Sequence, residues 1–191
     1  NKADSHPLGG TMRVITGSAR GRKLEAPQGL ETRPTSDMVK EAMFSIIQFE
    51  VEEAMVLDLF AGSGQLGIEA LSRGAKFAVF VDASREAQEV IRANLQSTGL
   101  AQKSRVAAMD ALGFLKSTGD RFSIALLDPP YQKGLLDEAL PLLAGKMEEG
   151  GVILCESEKN EILPQKAGAF ALYKEYRYGK KKITVYRKEE A

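Results

Sequence analysis

The chain is poor in the residues from which most metal and redox centres are made. Of its 191 residues one is cysteine and one is histidine, and tryptophan is absent. A lone cysteine forbids a disulfide within the chain, and one Cys with one His cannot supply the ligand set of a zinc site. Cys155 sits in the apolar run Gly151-Val152-Ile153-Leu154-Cys155, so it reads as a small buried hydrophobe rather than a nucleophile. A chain without disulfides fits a reducing compartment, and the cytoplasm is expected. No apolar run approaches a membrane span in length, so neither a membrane nor a metal partner is expected.

Charge of one sign is lacking as well. The chain has 26 Lys and Arg against 26 Asp and Glu. Hydrophobic residues at 43% and charged residues at 27% fit a soluble globular protein and exclude a mostly disordered one. The length suits one α/β domain with an appendage and is too short for two full domains. The balance hides local asymmetry. Met12 to Leu24 carries Arg13, Arg20, Arg22 and Lys23 with no acid, and Lys174 to Lys188 sets seven basic residues against Glu175 alone. Either patch alone reads as solvated surface. Two of them beside an enzyme core point to a polyanion, since attraction to phosphates acts over about 10 Å in physiological salt. Asn1 to Thr11, which holds His6, differs in character from the rest of the chain. It is expected to be a remnant of the expression vector preceding a natural start at Met12, which makes His6 a poor catalytic candidate.

The stretch that organises the rest is Val56-Leu57-Asp58-Leu59-Phe60-Ala61-Gly62-Ser63-Gly64-Gln65-Leu66-Gly67. An apolar run ends in an acid, loops through glycines and resumes as an amphipathic segment, which reads as strand, tight turn and helix. Glycines at 62, 64 and 67 allow a sharp turn, close approach to a ligand and close packing of helix on strand, beside the free N–H groups of a helix N-terminus. As a bare G-x-G-x-x-G pattern it indicates a nucleotide-like cofactor and no particular chemistry.

Further elements are indicated by periodicity. Arg13 to Gly17 and Gly21 to Ala26 read as a small β-hairpin. Thr35-Ser36-Asp37 offers caps for a helix through Met38, Ala42, Met43, Ile46 and Ile47. Strands are expected at 56–60, 77–81, 104–108, 122–127 and 152–155, with helices at 65–72, from about 87 to 99, around 112–115 and at 135–143. This alternation predicts a parallel sheet covered on both faces. Residues 170–177 and 181–186 around Gly179 alternate polar and apolar, and read instead as an antiparallel hairpin. Asp82 ends the second strand, where it can accept from a ribose diol or cap the next helix, and Asp110 ends the third.

The chemistry lies in Asp128-Pro129-Pro130-Tyr131, at the end of an apolar strand. Two prolines alone are a strand terminator. With an acid before and an aromatic after, they do more. Pro129 holds Asp128 extended, and Pro130 brings no N–H to compete for the Pro129 carbonyl, so a carboxylate and a carbonyl are presented together as acceptors. An exocyclic amino group of a nucleobase has two protons to give, and Tyr131 offers a face on which a base can stack, worth about 1–3 kcal/mol. Two acceptors on those protons favour a pyramidal, nucleophilic nitrogen that can attack an electrophilic methyl, by positioning and electrostatics.

With these residues together, the sequence resembles the RsmD-type 16S rRNA guanine-N2 methyltransferases, within the class I S-adenosylmethionine-dependent enzymes. The likeness covers nearly everything from Met12 onward. It rests on Gly17-Ser18-Ala19-Arg20-Gly21-Arg22-Lys23-Leu24, on Arg33-Pro34-Thr35-Ser36-Asp37 with Val39 to Phe44, on Asp58 to Gly67 with Glu69 to Ala75, and on the Asp128 to Tyr131 tetrad. It implies a Rossmann-like fold with a mostly parallel seven-stranded sheet, a C-terminal antiparallel hairpin and a small N-terminal hairpin extension. Residues 12–53 would face rRNA and residues 54–191 would bind S-adenosylmethionine. Asp58, Gly62 and Gly64 would line the methionine end of the cofactor, Asp82 would hold the ribose and Asp110 with Ala111 would lie by the adenine, with Phe60, Ala61 and Ala83 among the cofactor-binding residues. Asp128, Pro129, Pro130 and Tyr131 would hold the target guanine, and Arg20, Arg22, Lys23 and Arg33 would meet 16S rRNA in a partly or fully assembled small subunit, the enzyme being a monomer. Two positions depart from the family pattern: Gln65 where a small residue is usual, and Asp82 where glutamate is commoner.

Other readings compete. A DNA adenine-N6 or cytosine-N4 amino-methyltransferase would share the tetrad, although the chain offers only a hairpin for sequence recognition. A nicotinamide oxidoreductase would share the glycine loop and leave the tetrad unexplained. A non-catalytic RNA-binding module would leave both motifs idle.

Overall fold

The computed structural model describes residues 12–28 and 37–190. The expected vector remnant with His6, the caps Thr35 and Ser36, and Arg33 all lie outside the described residues. In chain order the elements are α1 (Asp37–Ile46), β1 (Met55–Leu59), α2 (Gln65–Ser72), β2 (Phe77–Val81), α3 (Arg85–Ser97), β3 (Ser104–Ala107), α4 (Ala111–Ser117), β4 (Phe122–Leu127), α5 (Leu135–Ala144), β5 (Met147–Glu158), β6 (Lys166–Ala167), β7 (Phe170–Tyr178) and β8 (Lys181–Lys188).

All described strands join one sheet in the order β3-β2-β1-β4-β5-β8-β7-β6. The first five strands are parallel, and β8 and β7 run antiparallel to their neighbours. The expected seven-stranded sheet with its terminal hairpin is therefore present, and the two-residue β6 extends it at one edge. β6 escapes a periodicity reading because two residues carry no period. The strand order reverses between β1 and β4, and in such a sheet ligands settle at the C-terminal ends of the strands around that reversal.

Alternation along each strand sorts side chains onto two cores. Val56, Phe80, Ile124, Leu126 and Leu154 face α1, α2 and α3, with Met43, Phe44, Ile47 and Ile91 among the residues they pack against. Leu57, Leu59, Val79, Ala125 and Ile153 face α4 and α5, with Phe114, Leu115, Leu140 and Leu143. Cys155 is fully buried in the second layer, and burial pushes its thiol pKa up, as expected of an inert core residue.

The N-terminal hairpin is shorter than its pattern predicts. Arg13 and Lys23 form a single antiparallel bridge rather than two strands. The reason lies in α2. Glu69 accepts from the amides of Ile15 at 2.8 Å and Thr16 at 3.1 Å, and the Ser72 hydroxyl accepts from Ala19 N–H at 2.9 Å. Donors that would extend a ladder are spent on the helix instead. Glu69 also pairs with the buried Lys40 ammonium at 3.4 Å and with Arg73 at 3.0 Å. Burial lowers the Lys40 pKa while Glu69 opposes the shift. A Cβ at Gly17 would lie 1.8 Å from the Ser72 carbonyl oxygen, so only glycine admits this close approach. Val14, Ala19 and Leu24 share a core with the sheet, and the segment is part of its packing rather than a loose arm.

Candidate active site

β1 ends at Leu59 and the chain reverses through Phe60, at φ 63°, and Gly62, at φ 60°. A non-glycine residue in the left-handed region costs roughly 1–2 kcal/mol and is held only where its surroundings dictate it. The loop is fastened from both sides. Asp82 Oδ2 accepts from Gly62 N–H at 2.9 Å, while its Oδ1 accepts from Ser84 N–H at 2.9 Å. Ser84, not Asp82, caps α3 by accepting from Ala87 N–H. Asp82 instead ties the glycine loop to the end of β2, and each of its oxygens retains a lone pair for a ligand.

Asp58 points from β1 beneath this loop. Its Oδ2 accepts from Gly67 N–H at 2.9 Å and the residue is 1% exposed. Burial raises its pKa well above the ordinary carboxylate range; the Gly67 hydrogen bond opposes this, and the charges of Asp128 and Asp82 reinforce it. Gly67 has no room for a side chain, because a Cβ would sit 2.4 Å from the Phe80 ring. Gly64, at φ 80°, begins α2 and faces Ile91 and Phe80. It shapes the turn and lies outside the wall of the site.

The other residues converge on one cavity of about 1300 Å³. Phe60, Ala61, Gly62, Asp82, Ala83, Asp110 and Ala111, with the buried Asp58, line it beside the ends of β1, β2 and β3, the first lobe, and Asp128, Pro129, Pro130 and Tyr131 line it beyond the end of β4, the second lobe. Asp110 also caps α4 by accepting from Gly113 N–H at 2.6 Å, so its two possible roles coexist. Tyr131 is 83% exposed at the mouth, with its ring available as a stacking face. The Asp128 carboxyl and the Asp58 carboxyl approach closely enough for the first to raise the pKa of the second.

Several wall residues lie outside the glycine loop and the tetrad. Met12, Leu24, Ala26, Pro27 and Val39 close the cavity from the N-terminal side. The sequence pattern assigns that segment to nucleic acid and does not reveal its part in the pocket; the apolar Leu24 and Val39 are the available signal. Gln65 is buried, and its Oε1 has no hydrogen-bond partner in the structure. In the sequence it is legible only as a departure from the family pattern. Glu156, Glu158 and Lys181 line the second lobe, with Lys181 Nζ donating to Glu158 Oε1 at 2.7 Å. Burial lowers the Lys181 pKa, but the hydrogen bond to Glu158 and the charges of Glu156, Glu158 and Asp128 outweigh it, and the net shift is upward.

Arg20, Arg22 and Lys23 are exposed on the N-terminal turn, and none is ion-paired with another described residue. Among the described residues no group of three His, Cys, Asp or Glu side chains can hold a metal, and no helix is long and apolar enough to cross a membrane.

The fold and this geometry have counterparts among known proteins. A family model described as conserved hypothetical protein 95 matches residues 12–187. The chain is 36% identical over 190 residues to ribosomal RNA small subunit methyltransferase D of Escherichia coli strain K12, with 98% of this chain and 96% of that protein covered. It is 39% identical over 182 residues to YlbH of Bacillus subtilis strain 168, with 93% and 99% covered. Among solved structures, the yhhF chain of Escherichia coli matches with a TM-score of 0.83 at 37% identity, over 94% of this chain and 99% of that one. The chain therefore belongs to the conserved hypothetical protein 95 family, the RsmD-type family that its motifs resemble.

Proposed function

We propose that this protein is a cytoplasmic S-adenosylmethionine-dependent methyltransferase that modifies the exocyclic N2 amino group of a guanine in 16S rRNA of the small ribosomal subunit. The observation that carries this reading is the shared cavity at the sheet's reversal, where the fastened glycine loop and the Asp128 to Tyr131 tetrad meet. The relative named ribosomal RNA small subunit methyltransferase D supports the choice of rRNA.

The first lobe fits the cofactor. It offers the free lone pairs of Asp82 for a ribose diol, the buried carboxyl of Asp58 for an ammonium group and the orphaned Gln65 Oε1. S-adenosylmethionine, when bound, supplies an electrophilic methyl group. Asp128 and the Pro129 carbonyl accept the two amino protons and orient the nitrogen lone pair, while Tyr131 stacks on the base. Asp128 or solvent takes the proton released. Residues 12–53 form the rRNA-facing part in this reading and residues 54–191 the cofactor-binding part, acting as a monomer. Arg20, Arg22 and Lys23, with Arg33 from outside the described residues, contact phosphates.

The test is to incubate the protein with tritiated S-adenosylmethionine and small subunits from a strain lacking the endogenous activity, then identify the labelled nucleoside. N2-methylguanosine at a single site is expected. Label in DNA and none in rRNA would transfer the assignment to a DNA amino-methyltransferase. The basic turn makes its own prediction. Replacing Arg20 and Arg22 together by alanine should weaken RNA binding most at low salt and lower the slope of log affinity against log salt by about 1–2, as two lost phosphate contacts require. Unchanged affinity at low salt would remove the turn from the RNA interface.

A further inference from the structure

The tetrad explains how an amino group is held but not why the base should be guanine. Adenine and cytosine also carry exocyclic amines, and the second lobe contains more polar groups than amine binding needs. Those groups are ordered by the sheet. Leu127 on β4 is the register partner of Cys155 on β5, so Asp128, the next residue, stands beside Glu156 on the neighbouring strand. Adjacent strands lie about 4.8 Å apart. Glu156 is in turn the partner of Ile183 on β8, and Glu158 the partner of Lys181. Positions two apart share a face. Leu126, Leu154 and Ile183 all pack into the layer of α1 and α2, so Asp128, Glu156 and Lys181 project to that same side, into the cavity.

Across three neighbouring strands the wall therefore presents a carboxylate, a second carboxylate and an ammonium. Lys181 spends one proton on Glu158 and keeps two. Glu156 is 3% exposed, a depth at which a carboxylate is retained only among compensating partners. The Watson–Crick edge of guanine runs donor, donor, acceptor through N2–H, N1–H and O6. Adenine presents an N1 lone pair where guanine has a proton, and cytosine and uracil each break the order elsewhere.

We propose that Glu156 and Lys181 are the specificity residues of this site, with Glu156 accepting guanine N1–H and Lys181 donating to O6 while Asp128 holds N2. This rests on the guanine-N2 reading above and adds to it the groups that reject other bases. Adenine would set its N1 lone pair against the Glu156 carboxylate, a mismatch a buried polar site rejects strongly.

The discriminating probe is 2,6-diaminopurine, which keeps the 2-amino group but replaces N1–H by a lone pair and O6 by an amine. Small subunits are reconstituted with 16S rRNA ligated from fragments that carry guanine or 2,6-diaminopurine at the labelled position, and single-turnover rates are compared. The wild-type protein should prefer guanine by about 100-fold. In Glu156→Gln, whose amide can donate to the N1 lone pair, the preference should narrow to within about tenfold, with S-adenosylhomocysteine affinity unchanged as evidence of a folded cofactor lobe. Lys181→Met is the second variant and should narrow it by slowing the guanine reaction more than the diaminopurine one. An active wild-type enzyme whose preference survives both substitutions would overturn this inference and leave the guanine-N2 reading intact. A wild-type enzyme that labels no N2 amino group would overturn both.

Discussion

Replacing Asp128 by alanine is expected to lower the rate of methyl transfer by about 10²–10³-fold or more while leaving S-adenosylmethionine binding nearly intact. The magnitude reflects removal of one preorganised charged partner from a reacting group. Cofactor binding should survive because Asp128 follows the end of β4 and lies in the second lobe, whereas the glycine loop is held by Asp82 through Gly62 and by Asp58 through Gly67. Asp128→Asn should fall between wild type and alanine, since its amide oxygen still accepts one proton but without full negative charge. Single-turnover rates at saturating cofactor, with binding measured by calorimetry, separate the two quantities. Near-normal turnover in Asp128→Ala would remove Asp128 from the chemistry.

Asp58 is expected to behave in the opposite way. Its carboxyl is buried beneath the loop, and burial together with Asp128 and Asp82 holds its pKa above that of the unfolded chain. The folded protein thus binds the proton more tightly than the unfolded one. The contribution to stability is fully present below the unfolded pKa near 4 and is lost as pH rises toward and through the folded value. Asp58→Asn removes the charge and preserves an acceptor for Gly67 N–H. It should stabilise the free protein by about 1–3 kcal/mol at neutral pH, and each kcal/mol moves Tm by about 2–4 °C at this length. The gain over wild type should grow as pH is raised. Cofactor affinity should fall by about 10–100-fold, the loss of one charge-assisted hydrogen bond. In the wild-type protein a cationic ligand favours the ionised carboxyl, so binding releases a proton and affinity rises with pH; the variant should show a flatter dependence. Thermal melts and calorimetry at three pH values test both halves. A variant less stable than wild type, or one that binds the cofactor equally well, would contradict the assigned role.

The two substitutions separate what the sequence announces from what packing adds. The strand, turn and helix from Val56 to Ser72 are legible because an apolar run, three spaced glycines and a resumed helical period each impose a local constraint. The spacing of Gly67 predicts that α2 comes close onto the sheet, and the Phe80 ring lies where its side chain would be. The tetrad is legible because two prolines fix the backbone on either side of a carbonyl. The hairpin at 13–26 is shorter than its pattern because that pattern is local, while the acceptors that claim its amides, Glu69 and Ser72, lie more than 50 residues away. β6 is invisible in the sequence because two residues define no alternation.

The sequence by itself determined the order of elements, the parallel sheet with its antiparallel finish, the glycine loop and the acid–proline–proline–aromatic tetrad. Each is written in short-range spacing, and its residue types restrict backbone angles or bury one face. Only the tertiary structure decided that Asp58 is a buried carboxyl whose pKa burial pushes up, that Asp82 fastens the loop rather than capping a helix, and that the N-terminal segment walls the cavity. It alone set Glu156 beside Asp128 and Lys181 opposite Glu158 on the wall of the same cavity. Those facts depend on strand order and register, which join residues far apart in the chain through hydrogen bonds and packing that no local pattern encodes.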